Sequence, residues 1–117
     1  MTIDSVRTMT VFVSDQEKAR DFYVDVLGFE VKADRPFGES RWLEVGPAAG
    51  TSLVLYKPFP GAAAGSSQAT ILASSDVDAD VARLRAAGVE VEGPSDLPWG
   101  RQATFADPDG NGYVLNG

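Results

Sequence analysis

The sequence predicts an α+β fold built from two βαβββ modules, joined as a curved eight-stranded mixed sheet around a cleft with the helices on the outer face. Three observations predict it. The chain matches itself when shifted by about 60 residues. Each half opens with a strand-period stretch followed by a helix-period stretch. Turn residues then divide the rest of each half into three short apolar segments.

The repeat rests on several matches in one order and register. Leu27-Gly28-Phe29-Glu30-Val31 corresponds to Ala87-Gly88-Val89-Glu90-Val91, Arg41 to Arg101, Gly50 to Gly110, and Leu53-Val54-Leu55 to Tyr113-Val114-Leu115. One residue of slippage brings Val13-Ser14-Asp15 onto Ser74-Ser75-Asp76. The chain reads as a single domain of residues 1–117, with a first module over about 5–57, a linker over about 58–67 and a second module over about 68–117. The linker is rich in Pro, Gly, Ala and Ser, as flexible connections are.

The first strand of module one alternates Met9, Val11 and Val13 with Thr8, Thr10 and Phe12, the period of a pleated strand. Its counterpart spans 69–74. Ser14-x-x-Glu17 and Ser75-x-x-Asp78 have the spacing of capping boxes, in which a hydroxyl and an acid satisfy the first free amides of a helix. Ala19, Phe22, Tyr23, Val26 and Leu27 then share one helical face, as do Val77, Val81 and Leu84. Gly28 and Gly88 sit where a left-handed residue ends a helix. Three strands follow in each module: 29–33, 41–45 and 51–56, then 89–92, 101–105 and 112–116. Gly46-Pro47 through Gly50, and Asp107-Pro108-Asp109-Gly110-Asn111, are the turns between the last two strands of each module. By alternation Met9, Val11, Val13, Leu53, Leu55, Tyr113 and Leu115 face the helices. Thr8, Thr10, Phe12, Val54, Tyr56, Ala69, Ile71, Ala73, Val114 and Asn116 line the cleft.

Composition narrows the chemistry. Hydrophobic residues make up 44% and charged residues 23%, the profile of an ordinary globular chain. There is no cysteine, hence no disulfide or thiolate chemistry, and no histidine, the commonest metal ligand and general base. The net charge of −7 disfavours nucleic acid or an anionic membrane as a partner. No apolar run has the length of a membrane span, and the first residues lack the pattern of a signal peptide, so a cytoplasmic location is expected.

Two segments resemble a known superfamily. Val13-Ser14-Asp15, Phe22-Tyr23 and Leu27-Gly28-Phe29 resemble the first strand, helix and second strand of the vicinal oxygen chelate proteins, and Phe105-Ala106-Asp107-Pro108-Asp109-Gly110-Asn111 resembles their last hairpin. This superfamily holds glyoxalases, bleomycin-resistance proteins and extradiol dioxygenases, and the likeness runs from about Val6 to Asn116. Its metal-dependent members carry His, Glu or Gln at four repeat-related strand positions, which fall here on Thr8, Val54, Ala69 and Val114. None of these supplies the donors that a divalent ion requires. The resemblance therefore implies no metal and no cofactor, and a closer likeness to the branch that sequesters drugs without chemistry. It also implies a homodimer.

The candidate ligand-binding residues are Phe12, Phe37, Arg41, Trp42, Tyr56, Phe59, Trp99 and Arg101. Trp42 on a strand and Trp99 in the Leu97–Gly100 loop can stack on a flat ligand, or can pack in the core or an interface. Phe37 and Phe59, in loops, can cover a site or close the end of a sheet. Tyr56 offers a hydroxyl to a ligand or to the protein itself. The repeat-related Arg41 and Arg101 can grip an anion or form structural ion pairs with an acid such as Glu44 or Asp107. Glu39 and Glu44 are the acids placed nearest the cleft, and nothing in the sequence marks either as a general base. The function expected is sequestration of a toxic or antibiotic aromatic compound. The alternatives are a vicinal oxygen chelate enzyme (lyase, isomerase or dioxygenase-like) with non-standard catalytic residues, and a dimeric interaction module with a vestigial cleft.

Overall fold

The computed structural model describes residues 1–117, which form two compact units, 1–64 and 65–117. The division falls inside the Pro/Gly/Ala/Ser-rich stretch read as a linker.

The first unit contains β1 (Thr8–Phe12), α1 (Gln16–Asp21, continued by a π-helical turn over Phe22–Val26), β2 (Glu30–Phe37), β3 (Ser40–Gly46) and β4 (Ser52–Tyr56). The second contains β5 (Thr70–Ala73), α2 (Val77–Ala86), β6 (Glu92–Leu97), β7 (Gly100–Ala106) and β8 (Gly112–Asn116). The eight strands form two mixed sheets of four, ordered β1-β4-β3-β2 and β5-β8-β7-β6. In each, the first strand runs parallel to the last and the other neighbours are antiparallel. The helix is the crossover that leads the chain from the first strand to the far edge, from which it returns by hairpins.

Alternation explains which face each helix covers. In the first sheet Val11, Val13, Leu43, Val45, Leu53 and Leu55 are buried together with Ala19, Phe22 and Tyr23 of the helix. In the second, Ala103, Phe105, Tyr113 and Leu115 are buried with Val77, Val81 and Leu84. Met9 departs from the pattern. It pairs with Leu53 and so shares the helix-side face, yet it is 50% exposed, because it lies near the start of an edge strand.

Three local expectations are corrected. The helix N-caps are Asp15 and Asp76, one residue beyond the serines: each carboxylate accepts a backbone N–H, from Lys18 and Ala79 respectively, at 3.0 Å. Glu17 and Asp78, expected to close capping boxes, turn to arginines instead. Strand β2 runs on to Phe37, which places Phe37 on a strand end and not in a loop. Pro36 is accommodated there because β2 is an edge strand. Strand β6 begins only at Glu92, later than expected, and carries Gly93-Pro94 through a register shift between Glu92 and Ser95. That pair lies beyond the strand expected at 89–92, and an edge strand tolerates it.

No helix is long and apolar enough to cross a membrane.

Candidate functional site

Pairing register defines the helix-free face of each sheet, because residues directly opposite one another point the same way. In the first unit one row across the sheet is Thr10, Val54, Glu44 and Ala33. The next row joins Phe12 to Tyr56 and Trp42 to Arg35. Phe37 follows Arg35 two residues on and shares its side.

Five of the expected ligand-binding residues meet here. The Trp42 ring lies 6.5 Å from that of Tyr56 and 6.0 Å from that of Phe37, each at an interplanar angle of 61°. Phe59, from the segment after β4, meets Phe12 edge to face at 5.1 Å and 89°. These are the spacings at which aromatic pairs attract. Phe37 and Phe59 remain 61% and 57% exposed, so the group presents ring surface that the unit's own core does not use.

Polar groups border this surface. Trp42 Nε1 donates to Glu44 Oε1 at 3.4 Å. Glu44 is half-buried and also lines a shallow cavity of about 390 Å³ with Ser5, Val6, Arg7, Gly50, Thr51 and Ser52. Arg35 stands on the same face at the edge strand and is exposed. Arg35 escapes notice in the sequence because β2 is longer than its apolar pattern suggests.

The helix-free face of the second sheet is built differently. Its rows are Ile71, Val114, Thr104 and Glu92, and then Ala73, Asn116, Gln102 and Ser95. The counterparts of Tyr56 and Trp42 are thus Asn116 and Gln102. Trp99, in the turn between β6 and β7, is 66% exposed and donates its Nε1 to Gln102 Oε1 at 3.0 Å. The Asn116 amide nitrogen is buried without a hydrogen-bond partner. Gln102 carries no signal in the sequence beyond its place on a strand.

Arg41 and Arg101 point elsewhere. Arg41 alternates with Trp42, and its guanidinium binds Asp34 (2.7 and 2.8 Å) and Glu17 at the start of α1. Arg101 binds Asp78 (2.9 Å), at the start of α2, and Asp96 (2.8 Å). Hydrogen bonding to Asp34 holds the Arg41 guanidinium above its ordinary pKa, and that of Arg101 is raised chiefly by Asp78. In return the Asp34 carboxyl is held below the usual carboxylate value, first by its hydrogen bond from Arg41. These are ion pairs between helix start and hairpin, made with acids other than Glu44 or Asp107.

The positions that match the metal ligands of related enzymes do not fit a metal. Thr8, Val54 and Val114 lie on helix-free strand faces, and Ala69 precedes β5 in a left-handed conformation with φ 62°. Nowhere do three His, Cys, Asp or Glu side chains gather as a ligand set. Asp107 and Asn111 are buried in the turn before β8, where Asp107 accepts from the amides of Asp109 and Asn111 and from the Asn111 side chain, all at 2.8–2.9 Å. Asn111 in turn accepts from the Ser67 amide at 3.0 Å. This is turn architecture.

Comparison with known proteins gives concordant results. The model of the family described as Glyoxalase/Bleomycin resistance protein/Dioxygenase superfamily matches residues 3–115. The crystal structure of TnmS3, an antibiotic binding protein from Streptomyces sp. CB03234, is 54% identical with a TM-score of 0.95, over 99% of this chain and 97% of that one. A superfamily member from Sphaerobacter thermophilus DSM 20745 is 37% identical with a TM-score of 0.90, over 99% and 98% of the two chains. The uncharacterized protein YetH of Bacillus subtilis (strain 168) is 36% identical over 117 residues, 97% of this chain and 98% of its own.

Proposed function

We propose, for a chain that belongs to the Glyoxalase/Bleomycin resistance protein/Dioxygenase superfamily, that it binds an aromatic small molecule and sequesters it without converting it. The observation that carries this reading is the cluster of Phe12, Tyr56, Trp42, Phe37 and Phe59 on the helix-free face of the first sheet. Ring faces held in place by neighbouring rings form a stacking surface at little entropic cost to the complex. The likeness to an antibiotic binding protein over nearly the whole chain supports an antibiotic or similar toxic compound as the ligand.

An enzyme reading has less to stand on. The family's metal-ligand positions hold residues that cannot chelate, and the acid nearest the aromatic cluster, Glu44, has no histidine to share a proton with, since the chain contains none.

The test is fluorescence titration of the intact protein with bleomycin and with a naphthoquinone, repeated with Trp42→Ala and Trp99→Ala. The reading expects at least one compound to bind below about 100 µM, and Trp42→Ala to weaken it by roughly ten- to a hundredfold. Absence of binding across such compounds, or binding untouched by Trp42→Ala, would overturn it in favour of an interaction module.

A homodimer belongs to the same proposal. Trp99 and Ile71, 66% and 68% exposed, add apolar surface in the second unit that a partner chain would cover.

A further inference from the structure

We infer that Glu44 makes the aromatic face selective for a ligand carrying a protonated nitrogen. The inference rests on the aromatic-binding reading and adds to it the charge class of the ligand.

Glu44 stands in β3, an interior strand, between Val54 and Ala33. It lies two residues from Trp42 on the same side, so its carboxylate borders the ring cluster directly. It is the acid among the residues lining the adjoining cavity. The side chain is half-buried and accepts from the indole N–H of Trp42 at 3.4 Å, a long hydrogen bond from a donor that carries no charge. It is the half-buried acid of the strands; of the exposed ones, Asp34 has Arg41 and Asp96 has Arg101. Glu44 forms no ion pair within 4.0 Å. A partly desolvated carboxylate with spare acceptor capacity gains most from a donor that brings its own positive charge.

Arg35 and Arg7 argue in the other direction, since either could attract an acid. Both are exposed, Arg35 on an edge strand and Arg7 at the cavity rim, so water screens them more than it screens Glu44. A ligand lying flat on Trp42 and Tyr56 would therefore place its protonated nitrogen toward Glu44 and the hydroxyl-bearing wall of Thr51 and Ser52.

Three tricyclic probes of one size separate the possibilities by equilibrium dialysis against the intact protein: cationic proflavine, neutral acridone and anionic acridine-9-carboxylate. The net charge of −7 attracts any cation, so two variants that change it equally are compared. Glu44→Gln keeps the shape and an acceptor for Trp42, and Glu90→Gln removes an exposed acid outside the first unit. The expected result is proflavine at least tenfold tighter than acridone, with that preference lost in Glu44→Gln and kept in Glu90→Gln, while acridone binding changes less than about twofold. Preference retained in Glu44→Gln overturns the inference, as does tighter binding of the anion. In both cases binding of acridone would leave the aromatic reading standing. If none of the three binds, the aromatic reading itself falls and the inference with it.

Discussion

Arg41 and Arg101 occupy equivalent places in the two units and make equivalent bonds. Each guanidinium bridges an acid in the first turn of its unit's helix, Glu17 or Asp78, to an acid on the neighbouring edge strand, Asp34 or Asp96. The shared device pins helix to hairpin on the helix side of each sheet. It also takes both arginines out of contention for a ligand on the opposite face.

Arg41→Gln should therefore lower stability by roughly 1 kcal/mol, a modest figure because Glu17 and Asp34 are partly exposed. Binding of aromatic probes should be unchanged. Urea unfolding of the variant, read beside dialysis, checks both halves; a tenfold loss of binding with no loss of stability would place Arg41 in the site after all.

The same pair sets an acid limit. The Asp34 carboxyl titrates lower in the folded chain than in the unfolded one, chiefly through its hydrogen bond from Arg41. A depressed folded value contributes stability above the unfolded pKa of about 3.9 and loses it as pH falls through the folded value. The gap in urea midpoint between wild type and Arg41→Gln should thus be steady above about pH 5 and close as pH drops below about 4. A gap that widens in acid would contradict the assignment.

Asp107 carries the turn before β8. Its carboxylate accepts two backbone amides and the Asn111 side chain in a buried setting. Asp107→Ala leaves those donors without partners and should lower stability by roughly 2–4 kcal/mol. Thermal melting measures it, and a loss below 0.5 kcal/mol (about a third of one buried hydrogen bond's penalty) would mean that water replaces the carboxylate freely.

Gln16 ties α1 to the sheet, donating its amide to the carbonyls of Arg41 and Leu55 at 2.9 Å each. Gln16→Leu removes both bonds at a buried position and should destabilise by about 1–3 kcal/mol. Chemical denaturation tests this; a variant as stable as wild type would show that packing, not the amide, holds the helix start.

The purified protein should hold no stoichiometric divalent metal, since Thr8, Val54, Ala69 and Val114 stand where related enzymes place ligands, and should scatter light as a homodimer at micromolar concentration. About one zinc, iron or manganese per chain by elemental analysis would refute the first expectation, and a monomer the second.

The sequence by itself determined the repeat, the order of elements and the facing of most strand residues. Those features are local: a period of two or 3.6, and a glycine or Asp-Pro-Asp-Gly-Asn turn, act over a few residues and need no distant partner. Edge-strand extents were less legible: the strands expected at 29–33 and 89–92 reach on past Pro36 and Gly93-Pro94, which strands paired on one side only can carry. The helix cap expected at Ser14 falls instead on Asp15, and Glu17, expected to close the capping box, turns to Arg41, 24 residues away. Only tertiary structure decided that Phe37, Trp42, Tyr56, Phe12 and Phe59 gather on one face, that Arg41 and Arg101 leave it, and that Glu44 lies beside the rings without a cation. The physical reason is that ring contacts and charge compensation depend on which side chains the sheet register brings within a few ångströms, and register is a property of strand pairs rather than of any one strand.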